Sequence, residues 1–112
     1  MKPPKTVKVG ALTYALIIDD EAIGKRSLEQ EESLLGYCDI PGQTVTVKKS
    51  QGPDSLALTI VHETFGHALI DAAGLGRLFD GNAEEDFCRA IEAPLLELLR
   101  NNAALITYLV EG

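Results

Sequence analysis

Apolar and polar residues alternate at the start of the chain. Val7 and Val9 flank Lys8, and "LTYALII", Leu12 to Ile18, is rich in β formers. Gly10 lies between and offers a turn or bulge, so this part reads as two strands or as one long strand bent near Gly10. The pattern is lost from Asp19 to Gly36, which is polar and charged. That stretch suits a short helix around Ser27 to Leu35, or a loop. Alternation returns in "TVTVKK", and Pro41-Gly42 is a turn signal ahead of it. Tyr37 to Ser50 therefore reads as a β-hairpin with one buried face.

The period then changes to that of a helix. Leu56, Leu58, Ile60 and Val61 begin an apolar face, Asp54 or Ser55 after Pro53 can cap it, and Gly74 and Gly76 end it. A second helix starts near Ala83, with Phe87, Cys88, Ile91, Leu95 and Leu98 at helical spacing. Pro94 removes one of its hydrogen bonds and predicts a kink. "RNN" predicts a break before a last helical turn or two. Strands followed by helices make an α+β fold, with a small antiparallel sheet packed on two main helices. The 112 residues suit a single domain, 1–112.

Composition narrows the functional classes. At 46 % apolar and 24 % charged residues the chain has globular composition. A net charge of −7 argues against a nucleic acid or an anionic membrane as partner. No run of 18 apolar residues occurs and "MKPPKTVKVG" has no apolar core of signal-peptide length, so a soluble, cytoplasmic protein is expected. Cys38 and Cys88 form no C-x-x-C pair and fit a reducing compartment as plain buried thiols.

The chemistry concentrates in "HETFGH". The chain has two histidines, both within these six positions of one predicted helix, with Glu63 directly after His62. In H-E-x-x-H the histidines lie one turn apart and face one metal, while the glutamate takes a proton from water beside it. Here one extra residue intervenes. In a regular α-helix five residues advance about 500°, leaving the rings roughly 140° apart. A π-bulge between Glu63 and His67 restores the shared face, and Gly66, poor in a regular helix, eases it. Two histidines and one carboxylate are a catalytic zinc set. The third ligand is expected in "AEEDFC", where Glu84, Glu85 and Asp86 also suit a helix N-terminus as plain dipole and capping residues. Glu84 projects from the face of Phe87, Cys88 and Ile91 and is slightly preferred; Glu85 stays open.

These segments resemble small phage and bacterial zincin-like proteins allied to the ImmA/IrrE metallopeptidases. The resemblance covers nearly the whole chain, through "VKVGALTYAL", "GYCDIPGQTVTV", "LTIVHETFGHALIDAAGL" and "EEDFCRAIEAPLLELLRNN". It implies a minimal gluzincin fold with zinc on His62, His67 and Glu84 or Glu85, and Glu63 as general base. The extra residue between the histidines departs from that pattern. Gly66-His67 is similar to the H-E-x-x-G-H motif of dipeptidyl peptidase III enzymes, whose third ligand lies in a segment of paired Glu followed by Cys-Arg. "EEDFCRA" is two residues longer between Glu85 and Cys88.

Three functions follow as expectations. The first is a zinc metallopeptidase, with Tyr14, Tyr37 and Tyr108 as candidates for transition-state stabilisation and a peptide or protein as substrate. The second is a catalytically silent zincin scaffold that binds a partner protein. The third is a structural domain whose histidine pair is fortuitous. The apolar end "LITYLV" suits packing in a homodimer.

Overall fold

Gly10 turns the chain back on itself. With φ at +61° it sits in the two-residue link between β1 (Thr6–Val9) and β2 (Leu12–Ile18), which pair antiparallel with Val9 opposite Leu12. The computed structural model describes residues 1–112. The second hairpin joins β3 (Gly36–Asp39) to β4 (Thr44–Val47), with Asp39 opposite Thr44. The Asp39 carboxylate accepts from the Gly42 N–H inside that turn.

The two hairpins meet through a parallel pairing of β2 with β4, giving the order β1-β2-β4-β3. The α+β class stands, but the sheet is mixed and not wholly antiparallel. The parallel step is made by α1 (Asp20–Gln30), which carries the chain over between the hairpins. This helix lies earlier than the expected Ser27–Leu35. The Asp19 carboxylate accepts from the Ala22 N–H and starts it. Glu31, at φ 52°, ends it, with the Glu32 N–H returning to the Ser27 carbonyl. Only Ile23 of α1 is buried, which is why its apolar period is hard to read.

One sheet face carries the core. Val9, Tyr14, Leu16, Val45 and Val47 lie under Ala68, with Leu56 and Ile60 packed alongside. Those helical residues belong to one continuous rod of three parts. It begins as α2 (Pro53–Val61), continues as a π-helical segment (His62–Ala68), and finishes as α3 (Leu69–Ala72). Pro53 is the first helical residue and Gly52 the cap position, so neither Asp54 nor Ser55 caps the rod. Gly74 closes it at φ +68°, with the Gly74 and Leu75 N–H groups returning to Asp71 and Ile70.

A short turn of 3-10 helix (Gly76–Leu78) leads to α4 (Ala83–Asn101). It runs through Pro94 as a single helical element and stops at Asn102, where the expected break occurs before α5 (Ala103–Glu111). No residue of α5 is buried. No helix is long and apolar enough to cross a membrane.

Candidate metal centre

The extra residue in "HETFGH" is absorbed as expected, and over a longer stretch than one bulge. All seven residues from His62 to Ala68 are π-helical, and the Leu69 N–H reaches the Thr64 carbonyl. Because hydrogen bonding runs i to i+5, His67 returns above His62. The two rings stand 5.0 Å apart, edge to face. Gly66 has a second reason to be glycine. A Cβ there would lie 2.7 Å from Cys88 Sγ and 3.1 Å from Cys88 Cβ, so its absence lets α4 approach the π segment closely.

That approach brings three glutamates of α4 onto the imidazoles. Glu85 spans both rings, with one oxygen 2.7 Å from His62 Nε2 and the other 2.8 Å from His67 Nε2. Glu84 lies 2.6 Å from His67 Nδ1, and Glu92 lies 2.7 Å from His62 Nδ1. His62, His67 and Glu85 thus offer ligand atoms all within 4.8 Å of one another. The group can hold a metal ion.

Glu85, rather than Glu84, occupies the position shared by both histidines, which corrects the preference drawn from the apolar stripe. That stripe joins Phe87, Cys88 and Ile91, but Phe87 is 42 % exposed and only Cys88 is fully buried. The face meeting the π segment is Glu85, Cys88 and Glu92, spaced i, i+3, i+7. Glu92 was absent from the expected site. Its signal was this spacing, two turns beyond Glu85. Glu84 and Glu92 serve as the carboxylates behind the rings, an arrangement that fixes the tautomer of metal-binding imidazoles.

The ring protons define what this group can exchange for a metal ion. If each Nδ1–H donates to its own carboxylate, each Nε2 presents a lone pair. Both lone pairs then face the acceptor oxygens of Glu85. Separations of 2.7 and 2.8 Å are hydrogen-bond distances, so here a proton must lie on each Nε2 as well, and a metal ion binding the same three side chains would take the place of those protons. Two protons and one divalent ion bring the same charge, and the donor set suits the ion.

Glu63 lies beside this group on the same π segment. It is 5 % exposed and lines the same cavity as the histidines. Burial pushes its carboxyl up to about 7; the His62 and His67 rings pull against this, and Glu85 and Glu92 add to it. A carboxyl so placed takes up and gives back a proton near neutrality. Burial disfavours the His67 imidazolium, but the hydrogen bond to Glu84 and the charges of Glu63 and Glu85 outweigh it and raise its pKa.

The cavity has a volume of about 640 Å³. Its opposite wall is the edge strand β3. Gly36 permits that closeness: a Cβ on it would lie 2.7 Å from Thr59 Cγ2 and 3.4 Å from Glu63 Oε2. Of the three tyrosines, Tyr14 is buried in the core, Tyr108 is exposed on α5, and Tyr37 alone lines the cavity. The Tyr37 ring lies 4.7 Å from the Arg26 guanidinium. Both cysteines are free; burial, with nearby carboxylates, pushes each thiol up to about 12, so neither is a ready thiolate.

Comparison of the chain with family models, curated proteins and solved structures finds no match.

Proposed function

We propose that this chain is a zinc-dependent metallopeptidase of gluzincin type, working in the cytoplasm. The observation that carries the proposal is the convergence of His62 Nε2 and His67 Nε2 on Glu85, made possible by the π segment and backed at both Nδ1 atoms by Glu92 and Glu84. Two imidazoles and one carboxylate are the donor set of a catalytic zinc site that keeps a position open. Zinc bound there would polarise a carbonyl and acidify a water.

The chain's own residues do the rest. Glu63, largely buried in the cavity wall with a carboxyl raised to about 7, takes the proton from attacking water and delivers it to the leaving amine. Glu84 and Glu92 hold the rings in the tautomer that presents Nε2. The edge strand β3 has an unpaired side along the cavity, which suits an extended peptide adding as a further strand.

A second reading keeps the metal centre but assigns a partner protein in place of a substrate. Leu105, Tyr108, Leu109 and Val110 on α5 are 45 to 78 % exposed, apolar side chains that a partner protein would cover. The two readings separate with a peptide library and the Glu63→Gln variant. Cleavage by the zinc-loaded protein, abolished in Glu63→Gln with zinc retained, supports the peptidase. A zinc-loaded wild-type protein that cleaves nothing supports the scaffold.

A further inference from the structure

The cavity is lined by six carboxylates and a single cation, Arg89. This residue stands one helical turn after Glu85 on α4, with a side chain 59 % exposed. Its Nε lies 3.4 Å from Glu85 Oε1, and its Nη2 lies 3.7 Å from Glu32 Oε1, beyond the end of α1. Neither separation is a close hydrogen bond, so the guanidinium is loosely held between two walls of the cavity. The same Glu85 oxygen is 2.7 Å from His62 Nε2.

Arg89 is therefore one carboxylate oxygen away from the metal centre and still has donors to spare. A guanidinium carries five N–H groups in a planar fork and does not lose its charge. Glu85, once shared with a cation, has less charge to offer the arginine. Two loose pairs in exposed positions are readily exchanged for a better acceptor. No other cationic side chain lines the cavity to receive an anionic oxygen.

We infer that Arg89 binds an anionic oxygen of the ligand at the metal centre, and so recognises an oxyanion or carboxylate placed beside the histidines. This rests on the proposed metal site. It gives the centre an electrostatic stabiliser that none of the tyrosines supplies as well: Tyr14 is buried in the core, Tyr108 lies outside the cavity, and Tyr37 has no charge to offer. The competing role is positional, with Arg89 merely steering the Glu85 carboxylate.

Cobalt loading of the full chain tests this without a known substrate. Cobalt affinity and the visible spectrum are measured for wild type, Arg89→Ala and Arg89→Lys. Each protein is then titrated with inorganic phosphate, with acetohydroxamate and with imidazole as a neutral control. The expected result is cobalt affinity within about threefold of wild type, phosphate and acetohydroxamate binding weakened about tenfold or more in Arg89→Ala, partial recovery in Arg89→Lys, and unchanged imidazole binding. Unchanged anion affinity in Arg89→Ala overturns the inference, as does a wild-type cobalt protein that binds neither anion. Cobalt affinity falling in step with anion affinity assigns Arg89 to steering Glu85, and also overturns it. A wild-type chain that takes up no cobalt overturns the metal site itself, which the first titration shows separately.

Discussion

Glu63→Gln should stabilise the metal-free protein, and by an amount that grows with pH. Glu63 is 5 % exposed and its carboxyl is raised from 4.5 to about 7, a shift of about 2.5 units. The folded state therefore prefers the protonated form. Its contribution is fully present below the unfolded value of 4.5 and is lost as pH rises to about 7, beyond which the loss is constant. At about 1.4 kcal/mol per unit the full loss is about 3 kcal/mol. About 2 kcal/mol of it falls between pH ~5.5 and ~8.5, a range that avoids the poor solubility expected near the pI of 4.7. Glutamine has the shape of the protonated acid and no charge to desolvate. Urea unfolding in excess chelator, followed by circular dichroism, gives the difference between the two proteins at each pH. It should widen by about 2 kcal/mol across that range, then shrink when zinc is added and the wild-type carboxylate gains a nearby cation. Two parallel stability curves would refute the claim that burial controls this carboxyl.

Three further outcomes follow from particular contacts. Gly66→Ala should cost about 1–3 kcal/mol in urea unfolding and weaken metal binding, because its Cβ meets Cys88 Sγ at 2.7 Å and pushes α4 away; adding Cys88→Ala should recover part of both. Glu84→Gln and Glu92→Gln should each weaken zinc about 10- to 100-fold in chelator competition, and Glu85→Gln by more, since Glu85 touches both Nε2 atoms. Glu31→Gly should raise stability by about 0.5–1 kcal/mol in thermal or urea unfolding, because Glu31 closes α1 at φ 52°, where glycine carries no steric penalty.

The parts legible in the sequence were those fixed by local signals. Gly10 and Pro41-Gly42 announce their turns, and Asn102 its break. "HETFGH" carries its own geometry: two histidines five apart meet only if the helix widens, and it does. What stayed hidden depends on packing. The parallel pairing of β2 with β4 joins two locally complete hairpins, and neither contains a signal for its neighbour. Helix α1 buries only Ile23 and contains Gly24, so its period is weak, while the Asp19 cap was the better clue. Glu92 escapes a reading that treats Phe87, Cys88 and Ile91 as one core face, because Phe87 is half-exposed. The buried marker was Cys88, and from it Glu85 and Glu92 fall into line.

Metal content tests the central claim most directly. The protein, purified without a histidine tag and dialysed against low zinc, should retain one zinc per chain by elemental analysis and native mass spectrometry. His67→Asn and Glu85→Gln should lose it while keeping a folded circular dichroism spectrum. A folded wild-type protein that holds no zinc, and whose melting temperature does not move when zinc is added, would contradict the claim.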